Sequence, residues 1–311
     1  MRSCRPTKTT MTMTMKTEAC AKVNFTLEVL GKRVDGYHAL RSVVMPVSLA
    51  DTLELEATDD GSVTSDTGYA DDLCVKAARV LRARCPGAAG VRIRVEKRIP
   101  AGGGLGGGSA DAATVLRTLN RLWGCGLSLE ALAALGADVG SDVPALVLAQ
   151  ELNGPVLMEG RGEAVSPLFD KASADLPHSP FSILHSPLAL VLVNPGVFCS
   201  TPEVFRRCTP RVTNEGTILY NMRTALASGD VLRIAAALTN DLEPPAVALH
   251  PEIGAARDAL EAAGAIGVLM SGSGSTVFGL VPTESRGREI AAVLEAQGFR
   301  AWSVRTACPV V

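Results

Sequence analysis

Six glycines around one leucine, Gly102-Gly103-Gly104-Leu105-Gly106-Gly107-Gly108, join an alternating strand to an amphipathic helix, and no other segment narrows the choice of fold as much. Glycine lets several backbone N–H groups turn toward one anion without Cβ clashes. A helix that follows adds unpaired amides and the positive end of its dipole, so the segment reads as a phosphate cradle. The helix is expected over 110–123, because Ala112, Val115, Leu116, Leu119, Leu122 and Trp123 recur at three- and four-residue spacing, with Ser109 as N-cap. Before the loop, Val91-Arg92-Ile93-Arg94-Val95-Glu96 alternates apolar and charged, which predicts a half-exposed antiparallel strand.

Other glycine-loop chemistries fit less well. Gly102, Gly104 and Gly107 spell G-x-G-x-x-G, but a dinucleotide fold needs a buried apolar strand before it and an acidic residue roughly 20 positions later on the next strand. Neither is present. The Walker pattern is absent too, since Gly31-Lys32 is followed by Arg33. A flexible linker would not be bracketed by a tight alternating strand and an amphipathic helix.

The rest of the chain reads as strands, then helices, then strands and helices again. Val23–Leu30 and Thr52–Ala57 are expected strands around the turn-rich Gly31–His38, and Asp72–Ala83 is an expected helix. After the glycine loop come helices over 110–123 and 128–138 and a strand over Pro144–Ala149. Lys171–Pro187, rich in Ser, Pro and Ala, is an expected domain junction or loop insertion. Beyond it, strands are expected over 188–194, 267–270, 276–281 and 301–307, with helices over 218–226, 231–238, 251–263 and 285–297. The class is α+β, without the regular βαβ repeat of a doubly wound sheet.

With 311 residues and 47% apolar content the chain can fill two packed domains. No run approaches the roughly 18 uncharged apolar residues of a membrane helix. Met1–Lys16 is polar, carries Met11-Thr12-Met13-Thr14-Met15, and is expected to be a disordered leader or sequence upstream of the natural start. A net charge of −2 without a basic stripe points to small anionic ligands rather than nucleic acid. The eight cysteines show no C-x-x-C pair and read as reduced, cytosolic thiols; neither they nor the four histidines form a zinc pattern.

Three further segments carry chemistry. Alternation in Lys22-Val23-Asn24-Phe25-Thr26-Leu27 puts Lys22, Asn24 and Thr26 on one strand face. The nearby turn Asp35-Gly36-Tyr37-His38 presents an aromatic ring and an imidazole, which can stack on and hydrogen-bond a base. In Gly140-Ser141-Asp142-Val143-Pro144, Asp142 stands two positions before a proline, where extended chain is expected to hold its carboxylate at an element boundary; Asp138 is the weaker candidate. Finally, Ser271-Gly272-Ser273-Gly274 forms a second glycine loop between two apolar runs.

Lys22 near the start, the first glycine loop and the second resemble the three motifs of the GHMP kinases, the superfamily of galactokinase, homoserine kinase and mevalonate kinase. Within it, Lys22–Leu27, Gly31-Lys-Arg-Val-Asp-Gly-Tyr-His38, Ile99–Ser109, Ser141–Pro144, Gly160-Arg-Gly-Glu163, Asn194–Thr201, Asn240-Asp-Leu-Glu-Pro244 and Ser271–Gly274 are similar to the branch acting on a cytidine-diphosphate-linked methylerythritol. The Gly31–His38 segment is specific to that branch. The resemblance implies a two-domain fold, ribosomal-protein-S5-like over 17–180 and ferredoxin-like over 187–308.

It also implies transfer of the ATP γ-phosphoryl to the 2-hydroxyl of 4-diphosphocytidyl-2-C-methyl-D-erythritol, a cytoplasmic step of the non-mevalonate isoprenoid pathway. Asp142 matches the general base and Lys22 the catalytic lysine. Pro100, Ala101, Gly102, Gly103, Gly104, Leu105, Gly106, Gly107, Gly108, Ser109 and Ala110 match the loop around the ATP phosphates and their Mg²⁺, with Ser109 the residue nearest to a metal role. Lys97 and Asp72 match positions near the adenine; Tyr37, His38, Phe205, Thr201 and Asn24 match the acceptor pocket; Ser271, Gly272, Ser273 and Gly274 match the loop that closes beside the phosphoryl group. Two residues depart from the pattern: Ala110 replaces a second serine, and Asp72 an asparagine.

Overall fold

The computed structural model describes residues 14–169, 187–210 and 216–308. The first sheet is built on two long antiparallel strands, β1 (Thr14–Lys32) and β2 (His38–Thr58). Both are far longer than the sequence predicts. The first half of β2 is buried apolar chain whose Pro46 breaks any strand reading, yet Pro46 pairs with Lys22 beside a register shift, where a missing N–H is tolerated. β1 also reaches back to Thr14, three residues into the expected leader; residues 1–13 lie outside the described residues.

The free edge of β2 serves two partners. Its second half pairs β4 (Gly90–Glu96), which carries β3 (Val63–Ser65), and its first half pairs β5 (Val156–Gly160), which carries β6 (Ala164–Pro167). β4 alternates buried Val91 and Ile93 with exposed Arg92 and Arg94, as its sequence predicts. Four helices cover one face: α1 (Leu73–Arg82), α2 (Gly107–Leu122), α3 (Leu129–Val139) and α4 (Val143–Leu152). Phe25, Leu53, Leu55, Leu81, Leu116, Leu119 and Leu146 are fully buried between sheet and helices.

α4 corrects the expected strand at Pro144–Ala149. Every residue from Val143 to Gln150 is buried, so the run has no amphipathic period by which helix and strand could be told apart. Pro144 falls in the first turn, where its fixed φ suits a helix and its missing N–H leaves nothing unpaired. Asp142 is the helix N-cap at φ −86, ψ −12, and not extended as expected.

The second sheet runs β11 (Arg300–Arg305), β7 (Ala189–Asn194), β10 (Val277–Val281), β9 (Ile266–Met270), all antiparallel. Around it lie α5 (Thr201–Arg207), α6 (Thr217–Ser228), α7 (Val231–Ala237), α8 (Glu243–Leu249), α9 (Pro251–Ala262) and α10 (Glu284–Ala296). Its two faces divide by the strand period. Val191 and Val193 meet Leu260, Ile290 and Leu294, whereas Leu190, Leu192 and Phe278 join the core of the first sheet, Phe278 stacking on Phe25 at 5.6 Å. A two-residue strand, β8 (Thr239–Asn240), pairs in parallel with β1 at Thr26 and Leu27 and ties the halves at the backbone. The expected junction over 171–187 falls, except for Pro187, outside the described residues.

Two pairs overturn the reading of the cysteines as free thiols for four of them, while Cys74 and Cys199 stay free. Cys20 is bonded to Cys308 and Cys85 to Cys125, with Cα atoms 5.5 and 5.3 Å apart. Their sequence separations of 288 and 40 leave no local spacing to detect. Among the described residues no helix is long and apolar enough to cross a membrane.

Candidate active site

Both glycine loops, the middle of β1 at Lys22, the start of α4 and the Tyr37 turn open on one cleft of about 1030 Å³. The first loop turns through positive φ at Gly102, Gly104 and Gly106 (65, 75 and 69). Gly106 is the N-cap of α2 and offers no side chain, so the first-turn amides have no capping acceptor. This corrects Ser109, which lies inside the first turn and not at the cap. Gly106 reaches the left-handed conformation that starts the helix early, and the uncapped end remains available to an anion.

The loop's carbonyls are held by the protein. Lys22 N donates to Leu105 O (3.0 Å), Thr276 N to Gly103 O (3.1 Å) and Ser271 Oγ to Gly104 O (3.0 Å). The second loop therefore sits directly on the first: a Cβ on Gly104 would lie 2.1 Å from Ser271 O. Asn240 fixes that second loop from below, its amide donating to Met270 O and Gly272 O at 2.8 Å each, while Asn194 donates to Thr276 Oγ1 at 2.9 Å. Both asparagines stand in motifs read from the sequence, but only the fold gives them this work.

Lys22 lies where the loops converge. Its side chain is 4% exposed, with Nζ 2.7 Å from Asn24 Oδ1 and 3.4 Å from Asp142 Oδ2; Asp142 is 33% exposed to the cleft. Asn24 passes the chain of contacts to Ser42 Oγ at 2.7 Å. Strict alternation fails just beyond. A register shift between Asn24 and Thr26 turns the Thr26 hydroxyl to the backbone, where it accepts from Val43 N, so the expected common face ends at Asn24.

On the side of α2, Lys97 lies between Asp51 and Asp111, with Nζ 2.7 Å from Asp111 Oδ2 and in contact with Asp51 Oδ2. Burial alone would lower the lysine's pKa; Asp111 and Asp51 outweigh it and hold the ammonium above its ordinary value. Burial, helped by the neighbouring Asp51 charge, pushes Asp111 up to about 7 against the pull of Lys97. Asp51 also accepts from Arg98 N and Ile99 N, so it fixes the chain entering the glycine loop. The sequence gives no sign of this. Asp72 caps α1, accepting from Cys74 N (2.7 Å), Val75 N (3.3 Å) and Thr67 Oγ1 (2.6 Å). Burial opposes its charge, but these bonds hold its pKa below the usual value. A capping carboxylate explains an acid in place of the expected amide.

On the opposite wall, His38 and Phe205 stack at 5.2 Å and 22°. No third ring fits between them at that separation, so Phe205 seats the imidazole, and the exposed Tyr37 ring, with Arg161 over it, is the aromatic surface left to the cleft. Thr201 Oγ1 meets Ser273 Oγ at 2.7 Å, linking this wall to the second loop. Of the site residues expected from the sequence, Leu105, Ala110 and Ser271 are fully buried behind the cleft and the others line it. Among the described residues no three His, Cys, Asp or Glu could hold a metal ion together.

The chain matches known proteins over both of its halves. Residues 72–150 match the GHMP kinases N terminal domain and residues 222–300 the GHMP kinases C terminal domain. The 4-diphosphocytidyl-2-C-methyl-D-erythritol kinase of Symbiobacterium thermophilum is 41% identical over 94% of this chain and 99% of its own. A crystal structure of 4-(cytidine 5'-diphospho)-2C-methyl-D-erythritol kinase superposes with a TM-score of 0.77 at 36% identity, covering 94% of this chain and 99% of that one. Homoserine kinase from Cytophaga hutchinsonii, at 17% identity and a TM-score of 0.70 over 97% and 98% of the two chains, shares the fold. With its loops, its paired Lys22 and Asp142 and relatives that span it almost end to end, the chain belongs to the GHMP kinases, in the family of the 4-diphosphocytidyl-2-C-methyl-D-erythritol kinases.

Proposed function

We propose that the chain transfers the γ-phosphoryl of ATP to the 2-hydroxyl of 4-diphosphocytidyl-2-C-methyl-D-erythritol. The observation that carries this reading is the Lys22–Asp142 pair, 3.4 Å apart, between two interlocked glycine loops and an aromatic wall in the same cleft. Asp142 Oδ2 takes the proton of the attacking hydroxyl, the freed oxygen forms its bond to the γ-phosphorus, and the bond to the ADP oxygen breaks. The Lys22 ammonium lies beside that carboxylate and offsets the negative charge that gathers on the transferring group. Uncapped first-turn amides at Gly107–Ser109 and the left-handed glycines fit a polyphosphate, whose close approach a Cβ would block.

Mg²⁺ supplies charge neutralisation when bound. It would be held by the ATP phosphates with the Ser109 hydroxyl, since the described residues offer no carboxylate cage and this ion commonly keeps most of its ligands from phosphate and water. Tyr37 and His38 serve the cytosine, and a substrate pair made of two nucleotides supports a cytoplasmic location. The test is ADP release with the cytidylyl-methylerythritol substrate against homoserine and mevalonate. Turnover of that substrate is expected, and Asp142→Asn should lose about 10³-fold or more in kcat while still binding ATP. Phosphorylation of homoserine or mevalonate alone, or an unaltered rate in Asp142→Asn, overturns the assignment.

A further inference from the structure

The segment Gly160-Arg161-Gly162-Glu163 has no place in the reaction as described, yet it touches both the aromatic wall and the base. It is the turn between β5 and β6, and β5 pairs with β2 from Leu40 to Val44, beside the Tyr37 turn. The Arg161 guanidinium lies 5.5 Å from the centre of the Tyr37 ring. Glu163 accepts from Arg161 N and, at 3.3 Å, from Arg33 Nη1; Arg33 Nε donates to Asp35 Oδ2 at 3.0 Å, and Asp35 Oδ1 accepts from Tyr37 N at 3.1 Å. The two turns are thus joined by a chain of charged contacts that ends on the backbone and on the ring of one tyrosine. On its other side the turn abuts the base: Gly162 has φ +118, and a Cβ there would lie 2.3 Å from Ser141 O, one residue before Asp142.

We infer that the Gly160–Glu163 turn is a positioning element for the acceptor substrate, holding Tyr37 in place through Arg161 and Arg33 and seating Asp142 through Gly162. This rests on the acceptor reading given above. Exposed ion pairs are individually weak, so the cation–π contact and the shared backbone anchor carry most of the effect, which is small for Arg161. The steric contact at Gly162 carries more, because it acts on backbone next to the base.

The test separates the two contacts. Binding of cytidine and of cytidine diphosphate is measured by calorimetry for the unaltered protein, Arg161→Ala, Arg161→Lys and Gly162→Ala, with KM and kcat for the full substrate. Arg161→Ala should weaken both ligands equally, by about 2- to 5-fold, raise the acceptor KM to match and leave the ATP KM alone; Arg161→Lys should recover most of the loss. Gly162→Ala should lower kcat at least about 10-fold while cytidine still binds. A loss confined to cytidine diphosphate would mean that Arg161 grips phosphate directly and would overturn the positioning role. So would unchanged binding in Arg161→Ala, or a kcat within twofold in Gly162→Ala. If the unaltered protein binds neither ligand, the acceptor reading itself falls; if it binds both and the variants do not differ from it, this inference alone falls.

Discussion

Replacing Gly104 with alanine tests whether the two glycine loops work as one piece. The added Cβ would lie 2.1 Å from Ser271 O and 3.0 Å from Gly274 O, so the second loop must retreat by about 1.3 Å before contact becomes ordinary at 3.4 Å. Backbone strain adds to the clash: at φ +75 an L-residue costs about 1–2 kcal/mol. Retreat also breaks the bond from Ser271 Oγ to Gly104 O, worth about 1 kcal/mol. The combined loss of about 2–3 kcal/mol corresponds to a fall in Tm of about 3–5 °C for a chain of this size. Catalysis should suffer more. A displacement of about 1 Å in a positioned group can cost about 10²-fold, and the moved loop lies against Lys22, 3.2 Å from a Cβ on Gly272. Scanning calorimetry and coupled ADP release should therefore show a destabilised protein with kcat down about 100-fold. Gly108→Ala is the stability control, since its Cβ would meet only Leu73 at 3.6 Å inside a helix; its Tm should not fall. A Gly104→Ala enzyme within threefold of normal kcat and within 1 °C of normal Tm would refute the interlock.

Asp111 offers a pH test. Its folded pKa of about 7 lies above the ordinary 3.8, so the folded state holds the extra proton and the group's contribution to stability declines as pH rises from about 4 through 7. Asp111→Asn removes that decline, and its Tm relative to the unaltered protein should improve between pH 5 and pH 8; a pH-independent difference would contradict the raised pKa. For the cysteines, alkylation in denaturant without reductant should label Cys74 and Cys199 and spare Cys20, Cys85, Cys125 and Cys308, and labelling of those four would discard both disulfides. Reducing the Cys85–Cys125 bond should cost about 4 kcal/mol, because it frees a loop of 40 residues in the unfolded chain.

Amphipathic elements are legible in the sequence and fully buried ones are not. α2, α9 and α10 each show one apolar stripe, and the sequence places them within a few residues. β4 alternates because one of its faces is solvated. α4 and the first half of β2 are covered all round, so their composition carries no period, and a proline in each points the reading the wrong way. The β-bulge between Asn24 and Thr26 is another kind of loss. A single unpaired residue flips everything after it, and only the partner strand decides where that happens.

The site divides along similar lines. Lys22, Asp142, Tyr37 and the glycines could be singled out because each stands in a local pattern: one face of an alternating strand, an acid at an element boundary before a proline, a turn, or a backbone that needs left-handed φ. Asp51, Asn240 and Arg161 carry no such mark. Asp51 comes within reach of Lys97 only because β2 runs beside β4, and Asn240 meets the second loop only because β8 pairs with β1. Each is a polar residue whose partner is distant in sequence, and its type alone fits a surface turn as well as a buried anchor. What separates the two is the cost of an unsatisfied donor: Asn240 is 3% exposed, and without Met270 O and Gly272 O its amide would be desolvated for nothing, a loss of about 1–3 kcal/mol. A cost of that size holds a loop in one place. It becomes visible only when burial and partner are known together, which is why the supports of this site had to come from the fold and its reacting groups did not.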